Sequence, residues 1–324
     1  MSTAIGNLHG SEKAGQVLLH KGMSAVTRRL ITLMLLIVAV AIVGAIWIPN
    51  FLSANSLINI ARQTSVTAIV ALGATFVIIA GEIDLSVGAV VALVAVLTAW
   101  MSRGYPLPVM LLVALAGGLA VGAVNGLLAL KLRVPSFLAT LGTLSIAKGL
   151  AMTISLEPVP VRNLEFIKFF RLSPAGIPMP VIIALILFVL AVLLLNHSRF
   201  GIRTRAVGSN ENGARLAGLN TTRHKYAVLI LGSAFAAIGG VVLAGRTNYG
   251  IAYSASGLEL EVIAAAILGG ARLGGGVGSV VGTLLAAILL TMIFVGIATA
   301  GLQGSYQDIA KGTAIGIAIF LMRR

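Results

Sequence analysis

The chain has no cysteine among its 324 residues, which excludes a disulfide framework and thiolate metal sites. Charge is scarce: Asp, Glu, Lys and Arg make up 10% of the residues, against roughly a quarter in an ordinary soluble domain. Acids are the scarcest, with 9 Asp and Glu against 23 Lys and Arg, a formal charge of +14. Aromatics are 6%, so the apolar mass is Leu, Ile, Val and Ala, accompanied by 38 Gly. No G-x-x-x-x-G-K-[ST] phosphate loop occurs. The most Gly-rich stretch, GGARLGGGVGSVVG at 269–282, lacks its Lys-Ser/Thr and misses G-x-G-x-x-G spacing; it reads as a tight interhelical turn with small-residue packing. The chain therefore cannot hydrolyse ATP by that route. The four histidines, His9, His20, His197 and His224, lie outside deep apolar runs, and none is spaced with another metal ligand. No Ser-His-Asp order stands out. Enzyme chemistry, a metal site and a resident cofactor are not expected.

What is present is apolar length. The chain is 58% hydrophobic, with a mean hydropathy of +1.05. One soluble core cannot bury so much apolar surface, whereas a lipid-embedded helical bundle can. Ten segments approach the roughly 20 apolar residues a span needs: 30–48, 64–80, 84–102, 107–130, 136–156, 179–196, 226–246, 258–271, 277–299 and 305–322. The weakest is 258–271. The fold class is an all-α polytopic membrane protein of about ten transmembrane helices. Residues 1–29 form a polar basic segment. The apolar run after it is long and offers no clear small-residue cleavage site, so an uncleaved first span is expected.

Cations set the orientation. With the N-terminus inside, fifteen Lys and Arg are cytoplasmic and six external, while Lys148 and Lys311 fall within spans. This bias places both termini in the cytoplasm, and it explains the basic excess without nucleic acid. The expected organisation is a cytoplasmic segment 1–29 and one transmembrane domain, 30–322. That domain carries a cytoplasmic loop at 197–225 and an external loop at 157–178, the latter with room for a short interfacial helix. Internal similarity links the halves. VGAVNGLLAL at 121–130 resembles VGTLLAAILL at 281–290, and IAKG recurs at 146–149 and 309–312. If spans 2–5 repeat as spans 7–10, the odd shift inverts the second copy.

Several polar residues stand out. Glu82 and Asp84 flank a turn, with Asp84 read either as the N-cap of the next helix or, with Glu82, as a structural clamp or gate. Lys148 lies about 18 Å into its span at roughly 1.5 Å per residue. It either packs against a carboxylate or carbonyl, or lines a polar path. Lys311 has Asp308 at i−3 as a partner. Asn59, Gln63, Asn125, Thr140, Thr143 and Ser145 serve either interhelical hydrogen bonding or a path for a neutral, hydroxyl-rich solute. Arg199, Arg223 and Lys225 flank span ends and read as orientation charges alone.

Four motifs in order carry a resemblance: GEIDLSVG (81–88), VPSFLATLGTLSIAKG (134–149), AVGSNENGARLAGLN (206–220) and GLELEVIAAAILGGARLGGGVGSVVGTLLAAIL (257–289). Together they resemble the permease subunits of bacterial sugar ABC importers, the ribose/xylose/galactose permease family within the branched-chain amino-acid permease group. The resemblance covers about residues 30–322. It implies the vitamin-B12-permease-type importer fold in the bacterial inner membrane and a second permease copy, in a homodimer. It also implies a separate ATPase that binds ATP and Mg, and a periplasmic or tethered substrate-binding protein. The loop matching 206–220 carries the family's coupling helix. Gly208, Asn210, Ala214 and Gly218 match its pattern, Ser209 stands where a second Gly is frequent, and Gly213 where Ala is frequent. Gly213 lowers helix propensity by about 1 kcal/mol relative to Ala, so this helix is expected to be short or frayed. Ser209 or Asn210 is placed to cap it, Arg215 to meet an acidic group or a lipid phosphate, and its Ala and Leu positions to enter a partner's groove. The competing reading is a secondary transporter driven by an ion gradient, which expects a titratable carboxylate near the midplane.

Overall fold

The computed structural model describes residues 25–302 and 304–322, except the side chains of 25, 311, 314, 315 and 317–322. The expected pairing of Lys311 with Asp308 falls outside the described side chains, as does most of segment 1–29. Ten helices correspond to the ten expected spans: α1 (Ala25–Trp47), α2 (Ala54–Ile79), α3 (Val87–Met101), α4 (Leu107–Gly126), α5 (Ser136–Ile154), α7 (Met179–Asn196), α10 (Thr221–Thr247), α11 (Leu258–Leu268), α12 (Val280–Thr299) and α13 (Gly304–Met322). Three shorter helices, α6 (Leu164–Arg171), α8 (Arg199–Ser209) and α9 (Glu211–Leu216), lie in the connections.

Seven of these, α1, α2, α4, α5, α7, α10 and α12, are long and apolar enough to cross a membrane among the described residues. Helix α3 has 15 residues and α11 has 11. At 1.5 Å per residue these reach about 22 and 17 Å, less than the roughly 30 Å hydrocarbon core. Irregular backbone at membrane depth is tolerated only when protein covers it. Helix α3 meets that condition, being packed by α4, α5 and α10 and buried along nearly its whole length. Its start also meets the start of α11: a Cβ on Gly88 would overlap a Glu259 carboxylate oxygen and lie 2.8 Å from the Ala255 carbonyl.

The core is the crossing of α2 and α10. Residues 64–79 of α2 are buried without interruption. A Cβ on Gly73 would sit 2.6 Å from Cβ of Phe235 and 3.1 Å from the Gly232 carbonyl, so both helices need small residues where they touch. Gly118 and Gly122 of α4 admit Ala237 and Ser233 of α10 in the same way. Helix α1 stays largely exposed and packs mainly on α12.

Two ends are defined by what meets there. At one, the loop at 157–178 is fastened: β1 (Val159–Pro160) pairs antiparallel with β2 (Tyr249–Gly250), Arg162 N–H donates to Ser102 Oγ at 2.8 Å, and Phe166 and Phe170 of α6 are buried. At the other, the Gly-rich turn folds onto α2 and α8. Gly276 N–H donates to the Ile79 carbonyl at 2.8 Å, and Gly275, at φ +81°, lies against the Gly208 backbone.

Replacing Gly73 with Ala is expected to cost about 1–3 kcal/mol through overpacking, lowering the thermal unfolding midpoint of the purified protein in detergent. Gly142→Ala, where a Cβ meets nothing within 4 Å, is the control and is expected to leave the midpoint unchanged or raise it. Equal midpoints for the two variants would contradict the crossing as described.

Candidate coupling site and buried polar network

The polar loop folds into two short helices. Ser198 starts α8, its hydroxyl accepting from the N–H groups of Phe200 at 3.1 Å and Gly201 at 3.2 Å. Asn210 ends α8 and starts α9, with Oδ1 accepting from Gly213 N–H at 2.9 Å. Helix α9 has six residues, in keeping with the short helix expected from Gly213. It closes in a Schellman arrangement: Leu219 N–H reaches the Ala214 carbonyl and Gly218 N–H the Arg215 carbonyl, both at 3.0 Å. Gly218 sits at φ +82°, a conformation that favours glycine.

Gly208 and Ala214 of this loop face inward, whereas Ala217 and Gly218 are exposed. A Cβ on Gly208 would overlap the Ile79 carbonyl and lie 2.6 Å from Gly276 N, and Ala214 is buried. Leu216 at the end of α9 is 90% accessible, ahead of Ile202 of α8 at 64%. Its signal in the sequence was a lone Leu beside Arg215, too little to separate it from Leu219.

Beneath α9 lies an ion-pair centre. Lys225, the fifth residue of α10, is only 9% accessible. Its Nζ lies 2.8 Å from Glu82 Oε1 and 2.6 Å from Glu211 Oε2. Glu211 Oε1 also accepts from the Thr221 hydroxyl and from Arg215, each at 3.1 Å. Lys225 is therefore no mere orientation charge. One ammonium ties α9, the base of α10 and the turn after α2. Hydrogen bonding from Lys225 holds the Glu211 carboxyl below its usual range.

Two residues beyond Glu82 the chain enters a buried network. Asp84 Oδ1 accepts from Ser86 N–H at 2.8 Å and from the Ser86 hydroxyl at 2.6 Å. Ser86, rather than Asp84, stands at the start of α3, and Asp84 folds the turn before it. Asn125 donates to Ser86 Oγ at 2.8 Å, and the Thr143 hydroxyl donates to Asn125 Oδ1. The Thr140 hydroxyl accepts from Leu85 N–H at 3.1 Å and donates to the Ile83 carbonyl at 3.3 Å. Ser136 Oγ accepts from Ile83 N–H at 3.2 Å. Asn125 and Thr140 are inaccessible, and α4 continues past Asn125 as a π-turn at Leu127–Lys131. The structure thus gathers Asp84, Asn125, Thr140 and Thr143 into one cluster that fastens the turn 80–86 to α4 and α5. Ser145 and Lys148 do not join it. Both face outward from α5, and Lys148 borders a small cavity of about 60 Å³ with Glu259 and Ser256. Asn59 is exposed on the first turns of α2, and Gln63 borders a separate polar cavity. Among the described residues no group of three or more Asp, Glu and His is placed to hold a metal.

Lys225→Met is expected to destabilise the protein by about 3–5 kcal/mol, as removal of one partner strands buried charge. Glu211→Gln should cost about 1 kcal/mol or less, because Glu211 is part-exposed. Its paired carboxylate stabilises the fold above the unfolded glutamate pKa, and that share drains away as pH falls through the lower folded value. Unfolding midpoints of wild type and Glu211→Gln should therefore converge on acidification. A gap independent of pH would contradict the pairing.

The chain matches the family model described as branched-chain amino acid transport system / permease component over residues 56–319. It is 38% identical over 296 residues to the ribose import permease protein RbsC of Escherichia coli K12, covering 90% of this chain and 92% of that protein. It is 35% identical over 297 residues to RbsC of Bacillus subtilis 168, with 90% and 91% covered. The D-allose transport system permease protein AlsC of Escherichia coli K12 is 33% identical over 297 residues, with 90% of each chain covered. No solved structure matches significantly. With several helices apolar enough to span a bilayer and a match of this extent, the chain belongs to the branched-chain amino acid transport system permease family, as a multi-pass membrane transport component rather than an enzyme.

Proposed function

We propose that this chain is the membrane subunit of an ATP-driven importer for a monosaccharide or sugar-like solute, worked by a separate ATPase that docks on α9. The observation that carries this reading is α9 itself. Its tip, Leu216, stands out from the protein, while its base is ion-paired through Lys225 to the turn between α2 and α3. A partner that moves the tip pulls on the core. The named substrates of the relatives, ribose and allose, supply the solute class.

Both termini lie in the cytoplasm in this reading, with α9 on the same side, as the cation bias supports. The halves are related as an inverted repeat. Helices α2–α5 have 26, 15, 20 and 19 residues, and α10–α13 have 27, 11, 20 and 19. Packing partners are exchanged in the same sense: α2 contacts α11 and α12, and α10 contacts α3 and α4. Two copies enclose the path along α5. Lys148 and Ser145 face outward there, and an ammonium at that depth is too costly against lipid. A water-filled path between copies resolves the cost. A substrate-binding protein delivers solute at the end formed by β1, β2 and α6, in the periplasm or tethered outside.

The test is Leu216→Asp in proteoliposomes containing the permease and its ATPase. ATP-driven sugar uptake is expected to fall at least tenfold with the unfolding midpoint unchanged, because Leu216 is 90% accessible. Full uptake in the variant, or uptake driven by an ion gradient without the ATPase, would overturn the proposal.

A further inference from the structure

A second polar feature lies away from α9 and from the Asp84 cluster. Between α2, α10, α11 and α12 is a cavity of about 190 Å³, roomy enough for water or a small solute. Arg246, on the last turn of α10, lines it together with Glu261 of α11. The Nε of Arg246 is buried and has no hydrogen-bond partner among the described residues. Thr67 donates to Glu261 Oε1 at 2.9 Å, which fixes the carboxylate at the wall. Gln63 and Gln307 add amides, Ser254 and Ser256 hydroxyls, and Phe294 an aromatic ring.

A buried guanidinium N–H without a partner is costly, and its cavity is roomy and polar. Among the described residues its lining carries one guanidinium and one carboxylate, a balance that favours neither an anion nor a cation. The planar guanidinium fork donates and the carboxylate accepts, which suits adjacent hydroxyl groups that do both. An apolar wall of Val66, Leu243 and Phe294 faces these groups and suits the C–H face of a small ring. The cavity lies near the end of α10 that adjoins β2, the end assigned above to the outside.

From this we infer that the cavity is a binding site for a small neutral polyhydroxylated solute, held by Arg246 and Glu261 within each permease copy on the outer side. The inference rests on the import reading above and gives that reading a named solute contact.

The full-length permease in lipid nanodiscs, without ATPase or binding protein, is probed by saturation-transfer-difference NMR with D-ribose, D-allose and D-galactose. At least one sugar should give a signal on the wild type. The signal should fall at least fivefold in Arg246→Met and in Thr67→Val, and stay unchanged in Arg103→Met, a control in an exposed loop. The milder Thr67→Val keeps the test open if Arg246→Met does not fold. No signal on the wild type, or an equal signal in a folded Arg246→Met or Thr67→Val, would mean a cavity filled by water alone and would overturn the inference. ATP-driven uptake measured on the same wild-type preparation separates the two readings: uptake without a site leaves the importer standing and removes only this contact.

Discussion

A lysine ammonium taken almost out of water must be paired, and in this protein the pairing decides where three segments meet. Lys225 is satisfied by Glu82 from the turn after α2 and by Glu211 from α9. Removing Glu82 leaves charge in a poorly solvated place, whereas Glu211 is partly solvated. The position of α9 relative to the core is therefore set by electrostatics at its base rather than by burial of its own surface, most of which is exposed. From Glu82 the chain runs within two residues to Asp84, and hydrogen bonds from there reach α3, α4 and α5. A displacement of α9 thus has a continuous polar route to the helix that carries Lys148.

Two short helices are the other constraint. Neither α3 nor α11 is long enough to cross a bilayer alone, and each begins from irregular backbone that must be covered. The protein covers it by crossing α2 over α10 at glycines and exchanging packing partners between halves. The polar groups needed by irregular backbone are then gathered at the two helix starts: Asp84 and Ser86 at α3, and Glu259 and Glu261 at α11. These are the places where a membrane protein tolerates hydrophilic side chains, and both candidate solute contacts, at α5 and at Arg246, lie beside one of them.

Much of this was legible in the sequence because it depends on local pattern. Apolar run length marks the seven helices long and apolar enough to cross a membrane among the described residues, the Gly-rich turn at 269–282 reads as interhelical packing, and Asn210 and Gly213 announce a short capped helix. Long-range pairing was not legible. Lys225 reads in the sequence as a flanking charge because its partner Glu82 lies far away in the chain and leaves no local trace. Gly208 and Ala214 suggest close approach, but the sequence does not say that Gly208 approaches α2 and the Gly-rich turn rather than a partner. Asn125, Thr140 and Thr143 were suited equally to a path or to interhelical bonding; shared contacts with the 80–86 turn, invisible in spacing, gather them into one network.

The central claim is that one ammonium transmits between α9 and the α2–α3 turn. A double-mutant cycle of Glu82→Gln and Glu211→Gln tests it most directly, scored on sugar transported per ATP hydrolysed in the reconstituted importer. The account predicts non-additive losses, with an interaction energy of about 0.5–3 kcal/mol, because both changes act on Lys225. Additive losses would show that the two carboxylates act separately and would contradict it.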